Sequence, residues 1–148
     1  MIGFEEQVMV IKLAESTTEI AQCYPLLVQL HPYLMVETFV EQVQQMQHDR
    51  YQLAYLQVDD RVVSVAGFHI SESFAWRKYL YVDDLVTDSE TRSHGYGSQL
   101  LSWLAEYAEQ HHCVQLHLDC RVTRHPAHKF YLNQGLMIGG YHFLMELR

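Results

Sequence analysis

The apolar side chains of this chain change their spacing along the sequence, and the change limits the folds that it can adopt. Between residues 20 and 46 they recur every three to four positions, whereas residues 51–87 show the denser, β-rich pattern of strands. The helical spacing returns in residues 98–112, and strand-like alternation follows in residues 114–120. Recurrence at three to four positions is typical of amphipathic helices, and alternation is typical of strands. The sequence therefore predicts a three-layer α/β (α+β) fold with a mixed sheet.

The predicted elements follow the order β-α-α-β-β-β-α-β-α-β. Ser16 or Thr17 caps the first helix, and His31-Pro32 ends it. No repeat, low-complexity tract or linker interrupts residues 1–148, so a single domain is expected. The predicted segments are strands at residues 7–14, 51–58, 61–70, 78–87, 114–120 and 137–147, and helices from the cap at Ser16 or Thr17 to residue 30 and at residues 36–46, 98–112 and 127–134.

The charge of the chain favours a cationic small substrate over nucleic acid. The net charge is −8 at pH 7, and the lysines and arginines form no run, whereas a nucleic-acid backbone requires clustered cations. No apolar run reaches the roughly 20 residues that cross a bilayer, and no secretory signal is recognisable. We therefore expect a cytoplasmic protein without a membrane partner. Its cysteines, Cys23, Cys113 and Cys120, are expected to be reduced thiols without a metal or redox role.

A glycine turn, Gly95-Tyr96-Gly97, lies where the helical pattern of residues 98–112 begins. Backbone N–H groups at a helix start can converge on an anion such as a pyrophosphate, and Arg92 could add a charge-assisted contact. The dinucleotide-binding motif is disfavoured because Leu100 stands where its third glycine is required. A P-loop is excluded because no Gly-Lys-Ser/Thr follows. A ligand-free loop and a different phosphate-binding turn both remain open.

Three segments around this turn resemble the coenzyme A-binding core of the GCN5-related N-acetyltransferase (GNAT) superfamily. Arg92-Ser93-His94-Gly95-Tyr96-Gly97 matches the family motif Arg/Gln-x-x-Gly-x-Gly/Ala. The preceding YVDDLV, residues 81–86, is similar to the strand of members that acetylate polyamines and other small amines. AHKFYLNQGL, residues 127–136, is similar to the family's Phe-Tyr-x-x-x-Gly-Phe element. The resemblance covers about residues 78–143, and the order of elements agrees over nearly the whole chain.

This resemblance implies a fold, a cosubstrate and an activity. The fold is a three-layer α/β/α structure with a mixed, mostly antiparallel sheet that splays between its fourth and fifth strands. The cosubstrate is acetyl-CoA, and the activity is direct transfer of its acetyl group, within a ternary complex, to a primary amine of a small molecule or of a peptide or protein. A non-catalytic CoA-binding regulatory or partner module is the alternative on the same fold. The resemblance assigns the pyrophosphate to the backbone of Arg92, Ser93, His94, Gly95, Tyr96 and Gly97, and the pantetheine arm to that of Leu85 and Thr87.

The resemblance also assigns the chemistry to Asp83 and Tyr131. Asp83 would accept the proton of the amine, directly or through a water, and Tyr131 would donate a proton to the leaving sulfur. Adjacent strand residues point to opposite faces, so Asp84 is expected to share a face with Leu80, Val82 and Val86, away from Asp83. A structural carboxylate is the alternative for either aspartate, and a packed aromatic for Tyr131. Whether Asp83, Asp84 or a water takes the proton stays open.

The segment between the first two helices is the one that lines the acceptor pocket in this family. Tyr33, Met35, Glu37 and Phe39 offer an aromatic pocket with one acid, which suits an apolar or cationic amine. His31 and His69 could approach the same site. The more common interpretation of such residues is a histidine whose hydrogen bonds are satisfied within the fold, or one on the surface, without a role in the site.

Three further features of the sequence concern the cofactor, a metal and the oligomeric state. Arg124 stands where many members have an asparagine that touches the cofactor, which leaves the cofactor contacts of that segment open. The histidines and cysteines of residues 111–120 match no tetrahedral zinc spacing, so no metal is expected. The aromatic residues near the C-terminus favour a homodimer.

Overall fold

The elements form in the predicted order up to the last helix. The computed structural model describes residues 7–148. A single 3₁₀ turn, Ser89–Thr91, precedes α3. The strands are β1 (Met9–Leu13), β2 (Gln52–Val58), β3 (Arg61–Ser73), β4 (Arg77–Thr87) and β5 (Gln115–Leu118), and the helices are α1 (Thr17–Leu30), α2 (Val36–His48), α3 (Tyr96–Gln110) and α4 (His125–Asn133).

The five strands form one sheet in the order β1-β2-β3-β4-β5. The first three pairings are antiparallel, and β5 joins the sheet beside the beginning of β4, where the Val114 N–H donates to the Lys78 carbonyl at 2.8 Å. β5 then ends at Leu118, whereas β4 continues to Thr87. Among residues 7–148, the later residues of β4 therefore pair with β3 on one side only. The expected fold class, a mixed α/β structure with a mixed sheet and four helices, is confirmed.

The first helix starts with a capping box. The Glu19 N–H donates to Ser16 Oγ at 3.1 Å, and Glu19 Oε1 accepts from the Ser16 N–H at 3.0 Å. The buried Tyr55 of β2 donates its hydroxyl to Glu19 Oε2 at 2.9 Å, which fixes the start of α1 to the sheet. The helix ends before Pro32, so His31 lies at its C-cap.

The helices of the first part of the chain cover both faces of the sheet. α1 and α2 bury Ile20, Cys23 and Phe39 against one face, together with Tyr55 of β2. The opposite face, which carries Leu56, Val58 and Val63, packs against Tyr96 of α3. Tyr55 and Leu56 are neighbours on β2 and point to opposite faces, as strand geometry requires. Burial on both faces explains why the strands read as nearly continuous apolar runs.

The described chain divides into two compact units, one ending at His117 and one comprising Leu118–Arg148. The single-domain organisation of residues 1–148 stays a prediction.

The predicted strand at residues 137–147 is wrong, since no regular element is described after α4. Its aromatic and apolar side chains give it strand propensity, but a strand forms only by pairing with another. No strand within the described part of the chain pairs with this segment. Its large apolar side chains are exposed: Met137, Ile138, Tyr141, Phe143, Leu144, Met145 and Leu147.

Candidate active site

A β-bulge in β4 sets the geometry around the two adjacent aspartates. Gly67 of β3 pairs with Asp84, whereas the next residue, Phe68, pairs with Val82. Asp83 is therefore an extra residue in β4 with no partner in the register. A bulge of this kind breaks the strict alternation of side chains between the two faces of a strand.

The prediction that Asp83 and Asp84 point to opposite faces is wrong, because both line the same cavity. The prediction that Asp84 shares a face with Leu80, Val82 and Val86 is also partly wrong. Val82 lies opposite Phe68, whose ring packs edge-on against Tyr107 of α3 at 5.3 Å, whereas Val86 belongs to the core beneath α1 and α2. Asp84 thus shares a face with Val86 and not with Val82. The alternation rule fails here because the bulge adds one residue.

The cavity lies between β3, β4 and the first two helices and has a volume of about 490 Å³. Of the residues expected to line a pocket here, Tyr33 and Phe39 do so, whereas Met35 and Glu37 do not. His31 and His69 both contribute to the wall and both contact an aspartate. The lining residues are Leu27, His31, Tyr33, Leu34, Phe39, Gln42, Val43, Met46, Asp49, Tyr51, His69, Asp83 and Asp84.

Asp84 is held from two sides. Its Oδ1 lies 2.5 Å from His31 Nε2, and its Oδ2 accepts a hydrogen bond of 2.9 Å from the Tyr51 hydroxyl. Burial, together with the nearby charge of Asp84, raises the pKa of Tyr51, so this hydroxyl remains a donor at neutral pH. Both oxygens of Asp84 are therefore engaged, and the carboxylate links the end of α1 to the sheet.

Asp83 makes a separate pair with His69, whose Nδ1 lies 2.8 Å from Asp83 Oδ2. Burial raises the pKa of Asp83, although the hydrogen bond from His69 opposes this effect. The His69 ring stacks on Tyr81, its partner across β3 and β4, at 5.5 Å.

Tyr51 was not predicted from the sequence, and His31 and His69 were predicted only as side chains that could approach the site. A signal for the bulge is present, since Gly67 interrupts an apolar strand run, and such a glycine indicates a bulge or a close backbone approach. A Cβ on Gly67 would overlap the Tyr51 hydroxyl and would lie 2.7 Å from Asp84 Oδ2. No local signal identifies Tyr51 itself, because its partner lies 33 residues away in the chain.

The glycine turn forms the N-terminus of α3, which begins at Tyr96 and not at the predicted residue 98. Gly95 is the N-cap, with φ 79° in the left-handed region, and Ser93 also has a positive φ of 75°. No side chain caps this helix, and its first intrahelical bond runs from the Gln99 N–H to the Gly95 carbonyl at 3.1 Å. The N–H groups of Tyr96 and Gly97 therefore have no acceptor within the helix. Such a donor set, at the positive end of a helix dipole, fits a pyrophosphate.

A network centred on Asp88 fixes the turn to the rest of the first unit. Asp88 Oδ2 accepts from Arg61 at 2.5 Å, and its Oδ1 accepts from the Glu90 N–H at 3.3 Å and from Gln29 Nε2 at 3.4 Å. Burial raises the pKa of Asp88, but these hydrogen bonds outweigh that effect and lower it. Arg92 itself is exposed and free to approach an anion from solvent.

Leu85 and Thr87 pair with Ala66 and Ser64 of β3, so their strand has one paired edge. Thr87 Oγ1 also lies 3.2 Å from the hydroxyl of the buried Ser64. The other edge of β4 at these positions extends past the end of β5. Backbone groups on that edge are available to an extended ligand.

Tyr131 lies on α4, in the second compact unit, and is half-buried with its ring 5.3 Å from that of Phe130. Burial raises the pKa of Tyr131, so its hydroxyl is protonated at neutral pH. Arg124 is the N-cap of the same helix and makes no side-chain cap.

Residues 7–148 contain neither a metal-binding cluster nor a membrane-spanning helix. No group of three or more histidine, cysteine, aspartate or glutamate side chains is arranged to hold a metal ion. None of the described helices combines the length and the hydropathy of a membrane span.

A comparison with known families tests the resemblance. The sequence model of the acetyltransferase (GNAT) family matches residues 15–136, which is most of the chain.

The chain belongs to the GNAT family.

Individual GNAT relatives agree with this assignment. The chain is 29% identical over 134 residues to the uncharacterized N-acetyltransferase YhdJ of Bacillus subtilis (strain 168), covering 89% of this chain and 94% of that protein. Its fold is similar to that of the aminoglycoside N-acetyltransferase AAC(6')-Iy in complex with CoA, with a TM-score of 0.85 and 14% identity over 99% of each chain. It is also similar to the ribosomal-protein-alanine N-acetyltransferase from Brucella melitensis biovar Abortus 2308, with a TM-score of 0.81 and 17% identity over 95% of this chain and 100% of that one. The two solved structures carry different acceptors in their names, so the GNAT fold alone does not specify an acceptor.

Proposed function

We propose that this GNAT protein transfers the acetyl group of acetyl-CoA to a primary amine of a small molecule, or of a peptide or protein, by direct transfer in a ternary complex. The observation that carries the proposal is the cavity beside the bulge of β4. It combines the carboxylates of Asp83 and Asp84 with the rings of Tyr33 and Phe39. Carboxylates attract an ammonium group, and aromatic faces bind cations and apolar stems. A volume of about 490 Å³ suits a small molecule or a single side chain.

Acetyl-CoA would bind at the turn of residues 92–97 and along β4. The N–H groups of Tyr96 and Gly97, which have no acceptor within the helix, support a pyrophosphate at the start of α3, with the backbone and side chain of Arg92, Ser93 and His94 around it. The pantetheine arm would run along the open edge of β4 at Leu85 and Thr87. When bound, acetyl-CoA supplies the activated acetyl group, and the protein supplies position and proton transfer.

Two side chains would move the protons. Asp83 belongs to the path by which the amine loses its proton, because it lines the acceptor cavity. Tyr131 is proposed as the donor to the departing sulfur, since burial keeps its hydroxyl protonated at neutral pH.

The experiment that tests the function is an acceptor screen. Polyamines, aminoglycosides and amino acids would each be incubated with acetyl-CoA and the full chain, and release of the CoA thiol would be measured. Thermal stability with added CoA serves as the separate binding measurement, because a ligand of the folded state raises the melting temperature. Thiol release with one class of amine is expected. Stabilisation by CoA without any thiol release would favour the non-catalytic CoA-binding module, and neither effect would overturn both functions.

The cytoplasmic location and the homodimer are parts of the same proposal. The exposed apolar side chains within residues 137–147 support the dimer, because exposed apolar surface is typical of protein interfaces. Sedimentation of the full chain measures the oligomeric state, and a monomer at micromolar concentration would remove this part.

A further inference from the structure

The cavity contains two histidine–aspartate pairs that differ in how each aspartate is held. Asp84 is bonded on both oxygens, by His31 and by the buried Tyr51. Asp83 bonds to His69 through Oδ2 alone, and no hydrogen bond to its Oδ1 is described within residues 7–148. Asp84 therefore links the end of α1 to the sheet. The pair of Asp83 and His69 makes no further hydrogen bond to another element among the described residues.

The hydrogen bond from His69 defines the state of its ring. An ionised carboxylate only accepts hydrogen bonds, so His69 Nδ1 carries the proton that it donates to Asp83. A ring that donates through Nδ1 and carries no second proton has its lone pair on Nε2. Nε2 has no hydrogen-bond partner among the described residues, while the side chain lines the cavity. A ring nitrogen without a described partner thus belongs to a side chain on the wall of the cavity proposed for the amine.

The sheet holds this ring in place. His69 lies on β3 directly opposite Tyr81 and stacks on its ring at an interplanar angle of 27°. The bulge adds Asp83 to the same side of the sheet, within reach of Nδ1. An imidazole oriented by a carboxylate through one nitrogen and open at the other is the arrangement of a general base.

We infer that His69 is the catalytic base of the proposed acetyl transfer and that Asp83 is the positioning residue that orients its ring. This inference rests on the proposed function and changes one part of it, because Nε2 of His69 and not Asp83 receives the proton. The nitrogen–carbon bond to the acetyl group forms and the carbon–sulfur bond breaks. The ammonium group gives up two protons in all: one passes to His69 Nε2 and then to solvent, and the other ends on the sulfur.

Several charged and aromatic groups surround His69. Asp83 and Tyr81 contact the ring from β4. Asp84, Tyr51 and His31 lie on the wall of the same cavity, and Asp49 follows α2 there. The carboxylates offset the positive charge that His69 gains in the reaction, and His31 faces Asp84.

Four single variants and the double variant His69→Asn/Asp83→Asn test the inference in the full chain, with acetyl-CoA and an amine found by the screen. His69→Asn retains a donor for Asp83 but removes Nε2. Asp83→Asn retains the volume but removes the carboxylate. His31→Asn removes the imidazole that pairs with Asp84. His111→Asn is the matched control, because His111 also bonds through Nδ1, to the Tyr107 carbonyl at 2.8 Å, and stacks on that tyrosine, but does not line the cavity.

The expected result is a kcat at pH 7 lower by about 10²-fold or more in His69→Asn, with unchanged CoA affinity and melting temperature. The part of the acid limb that depends on the enzyme base should be lost, and the remaining activity should rise with pH only as the amine itself deprotonates. Asp83→Asn should lower kcat too, and the double variant should be no worse than His69→Asn, because the two residues act as a unit. His111→Asn should resemble the wild type.

The result that overturns the inference is a His69→Asn protein within about three-fold of wild type with its acid limb intact, especially if Asp83→Asn is inactive, because Asp83 would then act without His69. Loss of the acid limb in His31→Asn alone would assign the base to the other pair. Imidazole ¹⁵N NMR gives a readout without turnover: His69 should show the Nδ1–H tautomer, and Asp83→Asn should change it. A wild type that acetylates no amine would instead remove the proposed function, which is a different outcome.

Discussion

The hydroxyl of Tyr51 donates a hydrogen bond of 2.9 Å to Asp84 Oδ2, and the bond passes over the Cα of Gly67. A side chain at position 67 would occupy the space of that bond. The bond in turn fixes Asp84, which holds His31 at the end of α1. One glycine in a strand thus permits the contact that joins two parts of the cavity wall.

Gly67→Ala should lower the free energy of unfolding by about 1–3 kcal/mol. The added methyl would overlap the Tyr51 hydroxyl and would lie 2.5 Å from Cζ of that ring, which is buried and cannot swing away. Urea unfolding measures the change. Gly139→Ala is the matched control, since a Cβ there meets no atom within 4 Å, and its midpoint should match the wild type. Equal midpoints for both variants would contradict the close approach at Gly67.

Stability should fall in acid because of Glu19. Hydrogen bonds from the Ser16 N–H and then the Tyr55 hydroxyl lower the pKa of Glu19 from 4.5 to about 2. A group whose pKa is lower in the folded chain stabilises the fold above its unfolded pKa, and that stabilisation is lost as the pH falls through the folded value. The Glu19 contribution should therefore be full above pH 4.5 and disappear towards pH 2.

Denaturant midpoints measured between pH 7 and 2 check this expectation. Glu19→Gln should be less stable than wild type at pH 7, and the two should converge in acid. Glu41→Gln, at an exposed position of α2, should keep the wild-type pH dependence. A Glu19→Gln profile parallel to that of the wild type would refute the assignment.

Gly95→Ala should weaken CoA binding as well as folding. The φ of 79° at this N-cap costs any residue with a Cβ about 1–2 kcal/mol, and the change would shift the N–H groups that follow. Gly135→Ala is matched to it, because Gly135 has a φ of 92° and a Cβ there also meets open space. Calorimetry should show a loss of CoA affinity of about ten-fold for the first variant only. Similar CoA affinities for Gly95→Ala and Gly135→Ala would show that the turn does not contribute to CoA binding.

Tyr131→Phe should lower kcat by about 10²-fold and leave CoA affinity level, if the hydroxyl donates its proton to the sulfur. Steady-state turnover and calorimetry on the same preparation measure the two effects. Phe130→Leu, one residue away, is the comparison for packing alone. A Tyr131→Phe enzyme as fast as wild type would assign the proton to another donor.

Much of the fold was predictable from the sequence because the spacing of apolar residues is a local property of each segment. The spacing of apolar residues in α1, α2 and α3 and in the first four strands produced the correct elements, with ends that differ by a few residues. The same reasoning failed at residues 137–147, where composition indicates a strand but no strand of the described chain pairs with it. Propensity is local, whereas a strand requires a partner.

The candidate site was predictable only where it depends on short motifs. The turn at Gly95 could be found because a left-handed residue at a helix start requires glycine, and that requirement is visible in the sequence. The pairs His69–Asp83 and His31–Asp84 join residues 14 and 53 positions apart and could not be found in this way.

The sequence by itself determined the order of the elements up to α4, the glycine turn at the start of α3 and the family. Only the tertiary structure decided which faces the two aspartates occupy, because the bulge depends on the register between β3 and β4. Register is set by contacts summed over both strands and by the helices packed on them. A single added residue therefore brought Asp83 and Asp84 into one cavity, against the alternation that the strand alone would give.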